Sequence, residues 1–191
     1  MDTKNFNIVD KIIAKLRLKQ IIGYVEDDEV ILDFGCGSKS FLLNSVSSKI
    51  KSGLGLDYEV KNKKEGNIEY INYKFNGNLP LKNKSFDKIF LLAVLEHIET
   101  DKANDLFLEF KRILKNDGKI VLTTPTPNSK WLLEFLAYKM KLISIQEIKD
   151  HKKYYDKGEI KKLAKECKLK LVDYKLFQLG LNSRAILEKN N

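Results

Sequence analysis

Two glycines and two aspartates carry the chemistry most legible in this chain. Val30-Ile31-Leu32-Asp33-Phe34-Gly35-Cys36-Gly37-Ser38 takes an apolar run straight into a glycine turn. Glycine admits positive φ and lets a ligand approach the backbone, and a helix that follows would add unpaired N–H groups. A dinucleotide-binding turn needs a third glycine three residues after the second, and that slot holds Ser40. Such a turn also sets a pyrophosphate beside the loop, where the Asp33 carboxylate would repel it. A ligand carrying an ammonium and a sulfonium reverses the sign, and Asp33 becomes an attraction. Asp57 lies 24 residues on (57 − 33), at the end of another apolar run, placed to accept hydrogen bonds from a ribose diol. The competing reading is a structural turn with an incidental strand-end aspartate.

The other reactive side chains are few. Cys36 and Cys167 stand far apart, with no CxxC or Cys/His ligand spacing, so no structural zinc site is expected. Cys36 is expected to fill space inside the turn. The histidines are His97 and His151. Glu96 and His97 are neighbours, but adjacent helical positions point apart and no third ligand is evident, so no metal is expected. His151, Tyr154 and Tyr155 form a second polar and aromatic cluster, which either orients a substrate or packs under the helix that follows.

These residues need a frame. Apolar spacing predicts a leading amphipathic helix over Phe6–Tyr24, then a buried strand over Glu29–Phe34. A short helix follows at Lys39–Val46, then strands at Gly53–Leu56, Ile68–Tyr73 and Phe86–Val94. Asp101–Leu114 reads as a helix stopped by Asn116-Asp117-Gly118, and Lys119–Thr123 as the next strand. Strands alternating with helices imply a parallel sheet covered on both faces. After Pro125 the pattern changes. Helices are expected at Asn128–Ile148 and Asp156–Cys167, then an antiparallel hairpin from Lys170–Phe177 and Ser183–Leu187.

Composition narrows the classes. A chain of 191 residues, 43% hydrophobic and 32% charged, is long enough to bury one core and reads as globular. No apolar run approaches the roughly 18 residues of a membrane span. Met1–Asp10 carries Asp2 and polar residues where a secretory signal would be apolar, so a cytoplasmic location is expected. The net charge of +9 raises nucleic-acid and anionic-membrane readings. The basic residues are almost all scattered lysines; Arg17, Arg112 and Arg184 are the arginines, whereas phosphate forks and base readout favour arginine. No specific nucleic-acid partner is expected.

In the order they occur, these motifs resemble class I S-adenosylmethionine-dependent methyltransferases, in particular their small-molecule, ubiquinone-biosynthesis-like branch. Asp33-Phe-Gly35-Cys-Gly37 is similar to that family's first motif and Gly55-Leu-Asp57 to its second. Leu79-Pro80-Leu81 with Ser85-Phe86-Asp87 resembles the approach to its fourth strand. Leu95-Glu96-His97-Ile98 resembles the sequence after that strand, and Arg112 through Pro125 the helix, turn and fifth strand. The resemblance implies an α/β, Rossmann-like, doubly wound, mostly parallel seven-stranded sheet ending in an antiparallel hairpin. It implies one domain over 1–191: an N-terminal helix (1–28), a cofactor-binding core (29–124), a lid or acceptor-side insertion (125–155), and a C-terminal helix and hairpin (156–191).

The same resemblance assigns roles around S-adenosylmethionine. Asp33, Gly35 and Gly37, with Cys36 between them, would hold the methionine portion; Asp57 would take the ribose hydroxyls, and Tyr58 would lie against adenine. Phe75 and Asn76 would border the adenine, and Ala93 with the chain toward His97 would line the site. Two positions depart from the family pattern: Lys39 replaces a usual third glycine, and the adenine-side aspartate is missing around Lys74, Phe75 and Asn76. His97 is the leading general base, against the alternative that it shapes the pocket. His151, Tyr154 and Tyr155 would stand on the acceptor side. Trp131, Phe135, Tyr138 and Met140 would wall a pocket or serve as core, and with Lys139 and Lys141 they permit at most peripheral membrane contact.

The function expected is methyl transfer by direct displacement to a small-molecule or lipid/glycan-type acceptor. A catalytically degenerate module of the same fold, binding cofactor or partner, is one alternative. An RNA methyltransferase is the other, supported by charge alone.

Overall fold

The computed structural model describes residues 8–131 and 151–190. Helix α1 (Ile8–Ile21) leads through a short 3-10 turn, Ile22–Tyr24, to strand β1 (Val30–Phe34). Then come α2 (Phe41–Val46), β2 (Ser52–Asp57), β3 (Lys63–Glu65), β4 (Ile68–Asn72) and β5 (Phe86–Leu92). Helix α3 (Thr100–Ile113) runs into β6 (Leu114–Pro125), and the chain closes with α4 (Lys157–Glu166), β7 (Leu169–Phe177) and β8 (Asn182–Lys189).

All eight strands join one sheet in the order β3-β4-β2-β1-β5-β6-β8-β7. The pairs β1–β2, β2–β4, β1–β5 and β5–β6 are parallel, while β8 pairs antiparallel with both β6 and β7. The doubly wound parallel sheet and the terminal hairpin therefore stand as the sequence predicts. The eighth strand is the addition. Lys-Lys-Glu at 63–65 has no apolar signal to read, because it lies exposed on an edge, pairs with β4 and sets the Lys63 ammonium over the Tyr70 ring. Charged edge residues also discourage pairing with another chain.

Both faces of the sheet are covered. Leu32, Phe34, Ile89, Leu91, Ile120 and Leu122 pack on the face that holds α3 and α4, while Ile31, Phe90 and Val121 pack on the face that holds α1 and α2. The period of two is strict, so Asp33, two positions after Ile31, turns toward the α1/α2 face, where it is buried.

Two expectations change at element ends. The α2 helix starts only at Phe41, after Ser40 at φ +42°, and lasts six residues, so the glycine turn is longer than expected and the helix begins two positions later. Asn116-Asp117-Gly118 does not separate helix from strand. Leu114 already pairs with Phe86, and the pairing resumes at Lys88 with Lys119, which leaves the four residues Lys115–Gly118 opposite Asp87 as a bulge within β6. Arg112 near the end of α3 ties the approach to β5, donating to the Leu79 and Leu81 carbonyls at 2.8 and 2.7 Å while pairing with Glu109. That fixes the segment that feeds the central strand.

The expected helix Asn128–Ile148 begins within the described residues, as a 3-10 turn at Pro127–Ser129, and Phe135, Tyr138, Lys139, Met140 and Lys141 lie outside them. Among the described residues no helix is long and apolar enough to cross a membrane.

Candidate active site

The strand order reverses direction between β1 and β5, and at such a switch point the strand ends of an open parallel sheet flank the crevice in which ligands bind. The glycine turn occupies it. Gly35 and Gly37 take φ +75° and +63°. Gly35 N–H donates to the Leu56 carbonyl at 2.7 Å and Cys36 N–H to the same oxygen at 3.3 Å, which folds the turn back over the end of β2. Gly37 N–H donates to Asp57 Oδ2 and Glu59 N–H to Asp57 Oδ1, each at 2.8 Å. Each carboxylate oxygen thus accepts one backbone bond and keeps a further lone pair, so Asp57 is held rigid and still able to accept hydroxyls.

Asp33 is buried to 3% exposure, and its Oδ1 has no hydrogen-bond partner among the described residues. Burial, and then the charge of Asp57, pushes its carboxyl up to about 7. A buried acid without a donor is costly unless something else supplies one. A cationic or N–H-bearing ligand in the crevice would do so.

Cys36 packs tightly. A Cβ added at Gly55 would stand 2.9 Å from its Sγ, and burial, with Asp33 behind it, pushes the thiol up to about 12. The thiol stays neutral and serves as filling between β1 and β2.

The rim is built by the loops after β2 and β4. Tyr58 is 63% exposed beside Asp57. Tyr73 N–H donates to the Asp57 carbonyl at 3.0 Å, and its hydroxyl donates to Asn76 Oδ1 at 3.2 Å and to the Asn78 carbonyl. This brace turns Phe75 inward, edge-on to Phe34 at 6.3 Å, and leaves Asn76 exposed. Asn76 is engaged through its oxygen, so its amide nitrogen is the group presented outward.

Past β5, Ala93 holds φ +56°, unusual for a residue with a side chain, while its N–H donates to the Thr123 carbonyl at 2.9 Å. That backbone drives Val94 against the glycine turn: a Cβ built at Gly35 would lie 2.3 Å from Val94 Cγ2. Val94 lies in the segment expected to line the site, but nothing in an apolar strand end marks it as the buttress of a turn 59 positions earlier (94 − 35).

Leu95–His97 form a 3-10 turn and not an α-helix, and the expectation that Glu96 and His97 lack a third possible ligand is corrected by His151. His151 comes up to the pair: ligand atoms of Glu96, His97 and His151 all lie within 4.8 Å of one another. The His97 and His151 rings stand 4.7 Å apart at 71°, and His151 Nδ1 sits 3.1 Å from the Tyr154 hydroxyl. Glu96 was not singled out as a catalytic or cofactor-binding residue, yet it is the hinge of the cluster. It is 2% exposed, accepts from Thr124 Oγ1 at 3.1 Å, and its carbonyl accepts from Lys152 N–H at 2.7 Å. Burial pushes its carboxyl up to about 7, with the Arg17 charge acting the other way. Tyr155 goes elsewhere. It is packed in the core with α3 and α4, its hydroxyl buried and pushed up to about 12 by that burial.

Comparison with known proteins agrees with this arrangement. The family model described as methyltransferase domain matches residues 4–174. An uncharacterised protein of Methanocaldococcus jannaschii is 32% identical over 108 residues, which are 53% of this chain and 43% of that protein. The chain thus spans less than half the length of that relative. A SAM-dependent methyltransferase structure from Methanosarcina mazei superposes with TM-score 0.65 at 20% identity, over 89% of this chain and 96% of that one. Another from Archaeoglobus fulgidus gives 0.66 at 18%, over 94% of each. At such identity these two speak for the fold. Because the family match takes in residues 4–174, sheet and turn together, this chain belongs to the methyltransferase domain family.

Proposed function

We propose that the protein binds S-adenosylmethionine in the β1/β5 crevice and transfers its methyl group to a small-molecule acceptor. One observation carries the reading: two acids end neighbouring parallel strands, one buried without a donor and one clamped by the turn but still open to hydroxyls. Asp33 would meet the ammonium and Asp57 the ribose diol, with Tyr58 and Phe75 on the adenine side and Ala93 below. Bound S-adenosylmethionine supplies an activated methyl group, so the chain has only to position the reactants, exclude water and handle a proton. His97, where the chain leaves β5, is placed to take that proton. Kinship with the ubiquinone-biosynthesis-like branch belongs to the same reading.

Titration calorimetry with S-adenosylmethionine tests it. Wild-type protein should bind one equivalent, and Asp57→Ala should weaken binding by about 10- to 100-fold, the value of one or two hydrogen bonds to a charged group. Equal affinity in both proteins would refute the assignment. Release of S-adenosylhomocysteine in the presence of small hydroxylated or amine acceptors separates an enzyme from a binding module of the same fold.

The RNA alternative gains little from the arginines, since Arg112 grips Glu109 and two carbonyls, while Arg184 pairs with Asp173 and covers the Tyr24 ring. Trp131, 66% exposed where the acceptor-side segment begins, is the residue for peripheral membrane contact. Sedimentation with anionic phosphatidylserine vesicles should drop in Trp131→Glu. An unchanged pellet would remove the membrane from the picture.

A further inference from the structure

We infer that Glu96, His97 and His151 form a binding site for one divalent transition-metal ion. Three ligand atoms within 4.8 Å of one another, two imidazoles and one carboxylate, are a donor set suited to zinc, iron or manganese. Ligand atoms about 2.0–2.2 Å from a shared tetrahedral ion stand roughly 3.3–3.6 Å apart, so the widest pair has to close by up to about 1.5 Å on a metal.

The surroundings are those of a held site. Glu96 is almost wholly buried, and Thr124 Oγ1 donates to its Oε2 at 3.1 Å, which fixes the carboxylate plane. Lys152 N–H and Lys153 N–H donate to the Glu96 carbonyl at 2.7 and 3.3 Å, and this anchors the backbone next to His151 against the 3-10 turn. The Tyr154 hydroxyl, 3.1 Å from His151 Nδ1, orients that ring. Partners of this kind around metal ligands set ring orientation and affinity. Arg17 supplies the opposing charge: its guanidinium acts on Glu96, so an ion must compete with it.

Three protein ligands leave coordination positions open. Val94, which buttresses Gly35, is two residues from Glu96, so the cluster stands at the same end of β5 as the glycine turn. An acceptor hydroxyl bound at an open position would lose its proton to solvent near neutral pH, so that with the ion bound His97 serves as ligand and not as base. This last step rests on the methyl-transfer reading, and the metal site itself does not.

The experiment uses the full chain, stripped with EDTA and titrated with zinc alone by calorimetry, with cobalt(II) absorption as a second readout. The expected result is one zinc per chain and a ligand-field band for cobalt. His151→Ala and His97→Ala should each weaken zinc by at least roughly 100-fold, the upper range for losing even an outer partner. Arg17→Gln should tighten it. S-adenosylmethionine binding to the stripped protein reports separately on the crevice, so retained cofactor binding without zinc binding refutes the metal and spares the function. Zinc bound equally by wild type and both histidine variants would overturn the site, as would no zinc binding to wild type.

Discussion

Replacing Asp33 with asparagine should make the ligand-free protein more stable at pH 8 and at the same time a poorer binder of S-adenosylmethionine. The carboxyl is buried to 3% exposure and sits at about 7, against an ordinary 3.8. Below about pH 4 it is protonated in both folded and unfolded chains and has no effect on stability. Between about 4 and 7 the folded state keeps a proton that the unfolded state has lost, so stability falls as pH rises, and above 7 the whole penalty applies. A shift of roughly three units corresponds to about 4 kcal/mol, an upper bound on what asparagine recovers. Half of that bound would raise Tm by roughly 4–8 °C in a chain of this size. The gain should shrink steadily in melts run from pH 8 down to pH 4.

Binding should move the other way. Asparagine cannot neutralise an ammonium, and removing one partner of a buried charge pair costs about 3–5 kcal/mol, so affinity should fall by at least about 100-fold. In the wild type, affinity should decline as pH drops from 8 to 6, because the acid must give up its proton to the solvent before it can pair. Calorimetry in buffers of different ionisation enthalpy counts that proton. If Asp33→Asn melts no higher than wild type at pH 8, the acid is not paying for a ligand that is absent.

This trade also explains which parts of the site the sequence disclosed. Asp33 stood out because a charge inside Val30–Phe34 violates the apolar pattern of a buried strand, and such violations concentrate where a protein does something besides fold. Asp57 was legible for the same reason, at the end of Gly53–Leu56. The helices α1, α3 and α4 announced themselves by spacing, and the structure adds a capping box at α4 in which Asp156 accepts from Glu159 N–H at 2.9 Å.

What was hidden depended on contacts between distant segments. His151 lies 54 residues beyond His97 (151 − 97), and the backbone bonds from Lys152 and Lys153 to Glu96 bring it back to the end of β5. Ligand atoms of Glu96 and His97 come within reach of His151 although adjacent helical positions point apart, which residue spacing alone does not reveal. Tyr154 and Tyr155, adjacent in sequence, separate because one meets His151 while the other enters the core. Strand β3 has no hydrophobic side to betray it, and the bulge at Lys115–Gly118 contains the Asn-Asp-Gly of a turn. Each of these is a tertiary outcome that local residue preference does not encode.

The two turn glycines should fail in different ways when each is changed to alanine. At Gly35 the new methyl carbon would stand 2.3 Å from Val94 Cγ2 and 3.1 Å from Cγ1, in a residue fixed at φ +75°. Left-handed backbone alone costs about 1–2 kcal/mol for a residue with a Cβ, and Val94 is itself held by the left-handed Ala93 before it. Gly35→Ala should therefore lose stability first, with Tm down by roughly 5 °C or more, and lose binding as a consequence. Val94→Ala in the same chain removes both Cγ contacts and leaves the nearest atom at 3.3 Å, so the double variant should recover most of the clash but not the backbone strain. Gly37 differs. Its φ is +63°, yet nothing lies within 4 Å of an added Cβ, which opens toward the crevice beside Asp57. Gly37→Ala should melt within a few degrees of wild type, since only about 1–2 kcal/mol of backbone strain is added. Its affinity for S-adenosylmethionine should fall by at least about tenfold, because the methyl group occupies space through which the ligand meets the backbone. Undiminished affinity in Gly37→Ala would mean that the open space at the turn is not where the cofactor binds.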